Sequence, residues 1–397
     1  MSLKLQALLK QLLQWRLRTR PAKAGGFTLI ELLVGLIIAV LVMIPLLGLA
    51  VNLISTDRRE QAKATTEQDL QAAADFIARD LQQAIYIYDS VALTQNRDLN
   101  NPDRSGIRDQ IPPFSGTNVN NCNSQETCIP VLAFWTRRVV EGGSPIVVNN
   151  SSPNCLTGNA TLCDDTFVYS FVAYYLILAK PDPNGAAPAN SVWSNAARIG
   201  RFEVSAGVTD SNDELVPVGQ SAKPRDAGYG PFDLSLDGED IRGKMNRWDG
   251  AVAIDADGNV IPNSIEAYGD NSMQILVDHI DATTFAINNN VPRIDCPAVD
   301  IELNNNRESQ KSWIQSPYYG NPNPVPNPAP NPVAPAQFQT YSFYACINSE
   351  QNIARIFLRG NALSRLRPND NTFYNESAAA LFPTVSAEVQ TEGRLFQ

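Results

Sequence analysis

The sequence predicts an α+β fold, in which a long N-terminal helix packs on an antiparallel β-sheet domain that carries large loop insertions. An apolar run over residues 27–51 passes directly into residues 52–89, where apolar side chains recur at helical spacing. Residues 90–397 instead alternate strand-length stretches, rich in β-branched and aromatic residues, with long polar loops. These two patterns predict a helical part followed by a β-rich part.

Residues 1–26 form a basic leader. They contain six Lys or Arg residues and no acidic residue, whereas the whole chain has 31 basic and 41 acidic residues and a net charge of −10. A basic segment before an apolar run predicts that the leader stays in the cytoplasm and that the following part is exported. Leucines at near-helical spacing from Leu5 to Leu17 favour an amphipathic helix on the inner leaflet, with a merely tolerated extension as the alternative. The acidic remainder argues against a general affinity for nucleic acid.

The apolar run from Phe27 to Val51 has 25 residues, which is enough to span a bilayer at about 1.5 Å per residue. Because no small-x-small cleavage site follows it, we interpret the run as a retained single-pass anchor in the inner membrane. Glu31 lies inside this run, where an ionisable group is either functional or reaches the headgroups by snorkelling. Pro45 and Gly48 predict a kink or a loosened turn.

The residues from Gly26 to Val34, Gly-Phe-Thr-Leu-Ile-Glu-Leu-Leu-Val, resemble the prepilin signature of type IV pilins and type II secretion pseudopilins. The resemblance implies a pilin-like fold and cleavage between Gly26 and Phe27 by a prepilin peptidase, which then methylates the Phe27 amine. It also implies that Glu31, the fifth residue after the cut, acts in assembly. The implied partners are the peptidase, other pilins or pseudopilins, the inner-membrane assembly platform and the membrane itself.

Physical chemistry is consistent with each implied role. Gly26 has no side chain, so the backbone there can lie extended in a protease groove. The new amine of Phe27 needs a counter-charge in an apolar bundle, and Glu31 supplies one within its own helix or to a neighbouring subunit.

The second half of the predicted helix, residues 52–89, has apolar residues at positions i, i+3, i+4 and i+7. They are Leu70, Ala73, Ala74, Ile77, Leu81, Ala84, Ile85 and Tyr88. Arg79-Asp80-Leu81, with Ala84, resembles a stretch of minor pilins and J-type pseudopilins. The alternative interpretation of these charged residues is an ordinary polar helix surface.

The exported head, residues 90–397, has eight strand candidates bounded by turn formers. They are 131–136, 166–178, 199–204, 250–254, 273–278, 283–287, 342–347 and 355–359. The stretch 169–178, followed by a loop and then 199–204, resembles the hairpin of J-type pseudopilins. The Pro- and Asn-rich insert near 317–337 favours polyproline II, as a surface spacer or as a binding strand.

Six cysteines lie beyond the anchor, on the side expected to be oxidising, so an even count predicts disulfides. Short loops favour Cys122–Cys128 and Cys155–Cys163, which leaves Cys296–Cys346. None of the pairs has the Cys-x-x-Cys spacing of a metal site.

Catalytic and metal-binding motifs are weak. The single histidine, His279, excludes sites that need two imidazoles, and any Ser-His-Asp triad would have to use it. Because no motif surrounds His279, we interpret it as structural. Asp255, Asp257 and Asn259 form an incomplete calcium loop, for which a hairpin turn is the favoured alternative. We expect no metal and no cofactor.

The sequence is therefore interpreted as a non-enzymatic minor pilin or pseudopilin with a periplasmic or extracellular head. The head size, the insertions and the long leader also resemble the hormogonium polysaccharide secretion pseudopilins of filamentous cyanobacteria, which implies polysaccharide export and motility. Two alternatives stay open. One is a J-type pseudopilin of a type II system with protein cargo, and the other is a membrane-tethered glycan-binding or hydrolytic head, for which paired carboxylates are expected.

Overall fold

The computed structural model has two compact units, residues 1–57 and 58–397. The structure describes residues 26, 28–100, 105–112, 126–156, 162–179, 192–216, 223–235, 240–250, 252–254, 260–265, 268, 273–288, 290–297, 313–317, 339–348, 351–368 and 370–391.

Helix α1 extends from Leu29 to Gln82 and continues through Pro45 and Gly48. In the first unit all its side chains are exposed, whereas in the second unit one stripe is buried in the head. The stripe consists of Thr66, Leu70, Ala73, Ala74, Ile77, Asp80 and Leu81. The helical spacing recognised in the sequence therefore marks the face on which the helix packs.

The predicted helical end at 89 is wrong, because α1 ends at Gln82 and β1 (Ala84–Ile87) follows at once. The residues of β1 pair with β2, and the Tyr88 amide donates to the Ala133 carbonyl at 2.9 Å. The Ile-Tyr-Ile-Tyr sequence of 85–88 is rich in β-branched and aromatic residues, and this strand preference prevails once a neighbouring strand is available.

Among its described residues, the head contains three antiparallel sheets and short helices. The five-stranded sheet has the order β1-β2-β3-β4-β7, with β2 Glu126–Pro145, β3 Cys163–Ala179, β4 Ala197–Ser205 and β7 Gln274–Ile280. The four-stranded sheet has the order β11-β10-β9-β8, with β8 Ile314–Ser316, β9 Phe343–Asn348, β10 Ile353–Arg359 and β11 Thr384–Gln390. The third pairs β5 Val252–Ile254 with β6 Val260–Ile265. The short helices are α2 Ser90–Thr94, α3 Ile241–Met245, α4 Ala362–Leu366 and a 3₁₀ helix Glu376–Leu381. This is the predicted α+β arrangement of a long helix with antiparallel sheets.

Two apolar clusters lie on opposite faces of the five-stranded sheet. The first joins the buried stripe of α1 to alternate residues of both larger sheets, among them Val172 and Tyr174 of β3 and Ile356 of β10. The second contains Trp135 and Phe171, and Phe171 stacks on Trp248 with ring centroids 4.5 Å apart. Alternation along the strands thus sends neighbouring residues of β3, such as Phe171 and Val172, to different clusters.

Seven of the eight strand candidates coincide with observed strands, at least in part, but 283–287 does not. Thr283 instead donates its hydroxyl to Asp281 and accepts a hydrogen bond from the Tyr374 amide, and residues 285–287 form a turn. Four strands were missed, namely β1, β6, β8 and β11. The last of these shows a usable signal, since Val385, Ala387 and Val389 alternate and pack against the first cluster.

Candidate processing and assembly site

Thr28 caps the start of helix α1. Its hydroxyl oxygen accepts a hydrogen bond from the Glu31 amide at 3.3 Å, and its carbonyl oxygen accepts one from the Leu32 amide at 3.2 Å. Thr at the N-cap with Glu three residues later is the spacing of a capping box. The Thr-x-x-Glu spacing, which lies within the prepilin signature, is the sequence signal that locates this helix start.

Glu31 lies in the first turn of α1, and its side chain is exposed between exposed apolar neighbours such as Ile30 and Leu32. Among the residues that the structure describes, its carboxylate has no hydrogen-bond or ion-pair partner. The positive end of the helix dipole favours a carboxylate at this position. A cation that neutralises Glu31 would come from outside the described residues, which leave out Phe27, or from another molecule.

Gly26 is exposed and lies outside the helix, and a Cβ built on it would meet nothing within 4 Å. The described part of the chain therefore gives no steric reason for a glycine here. A protease groove that binds this segment in an extended form would supply such a requirement.

The first unit presents a continuous apolar surface. Its large apolar side chains, from Leu29 to Ile54, are between 47% and 89% exposed, far more than a water-soluble surface normally leaves uncovered. Within the described residues, α1 is the helix long and apolar enough to cross a membrane. This surface is consistent with membrane anchoring.

In the head, Asp80 fastens the end of α1 to three strands. Its carboxylate accepts hydrogen bonds from Tyr174 Oη at 2.6 Å, Arg201 Nε at 2.7 Å and Arg138 Nη2 at 3.2 Å. The same two arginines donate to Glu203, Arg138 Nε at 2.7 Å and Arg201 Nη1 at 2.5 Å. Two acids and two guanidinium groups thus neutralise one another at the interface between helix and sheet. We call these five residues the Asp80 network.

Electrostatics keep the Asp80 network in its hydrogen-bonding state. Burial raises the pKa of Tyr174, and the neighbouring Asp80 raises it further, so the phenol remains a donor. Burial alone would raise the pKa of Glu203, but Arg201 and Arg138 outweigh it and lower that pKa. Asp80 therefore anchors the helix to the sheet inside the head. The alternative interpretation of this helix segment, an ordinary polar surface, is wrong for Asp80 because its side chain is buried. The side chain of its neighbour Arg79 does lie on the surface.

His279 does not form a catalytic triad with Ser364. The His279 Nδ1 and Ser364 Oγ atoms are 2.7 Å apart, but the serine hydroxyl donates to the Asn361 carbonyl, so Nδ1 carries the proton and donates. Ser364 is buried, and Asp278 accepts hydrogen bonds from the hydroxyl and amide of Ser194. Burial lowers the pKa of His279, although Asp278 opposes this effect, so the ring is neutral at pH 7. A serine nucleophile needs a base with a free lone pair, which this nitrogen lacks.

Disulfides join Cys155 to Cys163 and Cys296 to Cys346. The first is a pairing that short loop length favours, and the second is the pairing that remains once the two short loops are closed. Cys128 is also disulfide-bonded, and Cys122 lies outside the described residues.

Several sequence predictions fall where the structure gives no description. They concern the leader helix between Leu5 and Leu17, the calcium candidates Asp255, Asp257 and Asn259, and residues 318–337 of the Pro-rich insert. In the part of the chain that is described, there is no cluster of three His, Cys, Asp or Glu side chains that could hold a metal ion.

Comparison with known proteins bears on the N-terminal region. Residues 21–47 match the family model of the prokaryotic N-terminal methylation motif. No curated protein and no solved structure matches the chain. The matched residues include Gly26, Phe27, the Thr28 cap and Glu31, together with much of the exposed apolar helix. The match indicates that the N-terminal region carries the processing and methylation motif found in type IV pilin-like substrates.

Proposed function

We propose that the chain is a non-enzymatic minor subunit of a type IV pilus-like or pseudopilus filament. The observation that carries this proposal is the carboxylate of Glu31 within the methylation motif, which has no partner among the described residues and lies on the half of α1 whose apolar side chains are exposed. Cleavage after Gly26 releases a cationic amine at Phe27, four residues before that carboxylate. Each charge alone is unfavourable in apolar surroundings, so assembly that pairs them is strongly favoured.

The apolar half of α1 supports the same proposal. The membrane covers its side chains before assembly, and the equivalent helices of neighbouring subunits cover them in the filament. Contacts between apolar side chains have little directionality, whereas an ion pair between Glu31 and the amine of Phe27 fixes one register between helices. We propose that the apolar surface stabilises the filament and that Glu31 sets the axial position of each subunit.

The head supports a minor rather than a major subunit. Residues 58–397 form one unit that contains the second half of α1, two larger sheets and the 20-residue strand β2, and the sequence adds long polar insertions. Such a head is poorly suited to dense repetition and well suited to a position at or near a tip. We propose a role in secretion of a surface polysaccharide and in motility, with protein export by a type II system as the alternative.

The assembly proposal is tested with Glu31→Gln, which removes the charge and retains the side-chain shape. Filaments are sheared from cells, and the ratio of sheared to membrane-bound chain is measured for each variant. An orphan charge in apolar surroundings costs roughly 3–5 kcal/mol, so we expect at least about a tenfold lower ratio. Glu60→Gln, the same change at an exposed position further along α1, is the matched control and should leave the ratio unchanged. Equal ratios for Glu31→Gln and wild type would contradict the assembly role.

The cargo is tested by deleting the gene and scoring filaments, released polysaccharide, secreted proteins and motility together. Loss of polysaccharide and motility with normal protein secretion is expected. Loss of protein secretion alone would favour the type II alternative, and four normal results would exclude a secretion role.

A further inference from the structure

We propose that two copies of this chain bind each other head to head, through one face of the hairpin that β2 and β3 form. The contact involves residues 137–145 of β2 and 163–169 of β3, which we call the distal ribbon. The distal ribbon lies entirely in the head, so the proposed contact goes beyond the role of α1 and does not depend on a filament.

The distal ribbon extends past the rest of the five-stranded sheet. The neighbouring strands β1 and β4 pair with β2 and β3 only outside this segment. Within it, β2 and β3 still pair with each other, with Arg137 opposite Tyr169 and Val139 opposite Phe167. Because residues opposite each other in an antiparallel pair share a face, these four side chains lie on one side of the ribbon. We call this side the open face.

The two faces of the distal ribbon are covered differently. On one face, Val168 packs with Val208 and Val216, which belong to the segment after β4. On the open face, Val139 is 58% exposed and Phe167 is 53% exposed. Large apolar side chains that are grouped on a surface, with their reverse side already packed, indicate an interaction site.

The open face is held in place by its neighbours. The ring of Tyr169 lies 5.3 Å from that of Phe232, which packs against the aromatic cluster of the head. The Arg137 guanidinium lies over the Phe167 ring, 4.3 Å from its centroid, in a cation–π contact. Because these contacts already order the side chains, a partner that binds the face loses little entropy in ordering them.

The open face carries opposite charges at its two ends. Arg137 lies at the end nearer the core of the head. Asp165 lies at the far end, two residues from Phe167 along β3, and the exposed Glu141 lies at the same end of the ribbon. The Asp165 carboxylate accepts one hydrogen bond, from the Gly142 amide at 2.7 Å. Among the described residues, none of these three charges forms an ion pair.

This charge arrangement identifies a second copy of the chain as the occupant. A uniformly acidic or uniformly basic surface would pair with one end of the open face and repel the other. A second copy turned about a two-fold axis along the Val139–Phe167 row stacks that row on itself. The same rotation places Arg137 of each copy opposite the acidic end of the other, since same-face residues on either side of the row are each about 7 Å away. Such self-complementary contacts are typical of homodimers.

The contact is expected to be weak in solution. The open face presents four side chains, whereas a standard interface has about 20–30 residues on each side. The chain is also acidic, with a net charge of −10, but charges more than about 8 Å apart are largely screened at physiological salt. Anchoring two copies in one membrane raises their effective concentration, so the association is best measured there.

The experiment traps the dimer through a cysteine placed on the two-fold axis. Full-length Val139→Cys is produced in membranes without a prepilin peptidase and is mildly oxidised, and the cross-linked dimer is measured over time on non-reducing gels. None of the described cysteines is free to compete. Val192→Cys is the matched control, because Val192 is 92% exposed in the head but lies outside the distal ribbon.

We expect Val139→Cys to form dimers at least about tenfold faster than Val192→Cys, because a held pair raises the local thiol concentration. In the Val139→Cys background, Arg137→Glu should slow cross-linking at least about fivefold, and so should Glu141→Lys combined with Asp165→Lys. Mixing these two charge-reversed chains, which carry tags of different size, should restore the cross-link between them, because their reversed ends then face each other.

Three results would overturn the dimer. The first is cross-linking of Val139→Cys no faster than that of Val192→Cys, and the second is an adduct of Val139→Cys with a different protein in place of the dimer. The third is a charge-reversed mixture that cross-links no faster than either chain alone, because the substitutions would then act by disturbing the hairpin. None of these measurements involves cleavage or filaments, so a negative result leaves the proposed function standing.

Discussion

Replacing Asp80 with Asn should strongly destabilise the head. The substitution keeps the shape of the side chain, removes its negative charge and replaces one acceptor oxygen with an NH₂ donor. Arg201 Nε then loses the Asp80 carboxylate, which lies 2.7 Å away. Because the arginine side chain is only 8% exposed, water cannot readily replace that carboxylate. Breaking a buried ion pair of this kind costs about 3–5 kcal/mol. The contact with Arg138, whose side chain is 33% exposed, contributes less because water screens it. We expect the free energy of unfolding to fall by about 3 kcal/mol.

The assay is urea unfolding of the full-length chain in detergent, followed by the fluorescence of tryptophans such as Trp135 and Trp248, which are buried in the head. Asp75→Asn is the matched control, since Asp75 is an exposed acid on the same helix that accepts from Gln71. It should change the free energy of unfolding by no more than about 0.5 kcal/mol. If Asp80→Asn were as stable as Asp75→Asn, the Asp80 network would not anchor the helix to the sheet.

Three further predictions concern the same chain. The folded-state pKa of Glu203 is lowered. Its contribution to the free energy of unfolding is therefore complete above the ordinary glutamate pKa and is lost as the pH falls through the lowered value. In urea titrations from neutral to acidic pH, Glu203→Gln should flatten this part of the curve of stability against pH. Removing the Cys296–Cys346 disulfide, which spans 50 residues, should lower the free energy of unfolding by about 4 kcal/mol. Removing the Cys155–Cys163 disulfide, which spans 8 residues, should lower it by about 2.5 kcal/mol. The reverse order in chemical unfolding would contradict the loop-entropy reasoning. Gly26→Ala should block N-terminal cleavage and leave the unfolding of the head unchanged, since nothing in the described chain opposes a Cβ there.

The helix and its two different halves could be predicted from the sequence because their signals are local. An uninterrupted apolar run and a stripe at helical spacing need no knowledge of the rest of the chain. The end of the helix was misplaced because Ala84, Ile85 and Tyr88 fit the helical spacing, whereas pairing of this segment with β2 decides its conformation. That pairing joins residues about fifty positions apart, such as Ala84 and Thr136, and no local pattern reveals it.

The residues of the candidate site come from the sequence, whereas its geometry comes from the structure. Gly26, Phe27 and Glu31 follow from the prepilin signature, and the Thr-x-x-Glu spacing is a local signal for the capping role of Thr28. The Asp80 network could not be predicted, because its arginines lie on β2 and β4, and only the sheet brings them to the end of α1. A charged residue in a helical pattern is usually exposed, so its burial depends on partners that are distant in sequence.

The most direct test of the account is mass spectrometry of the N-terminus of the chain purified from membranes that contain prepilin peptidase. The account predicts a chain that begins at Phe27 and carries a methyl group on its α-amine. A chain that still begins at Met1, one cut at another bond, or one that begins at Phe27 without the methyl group would contradict it.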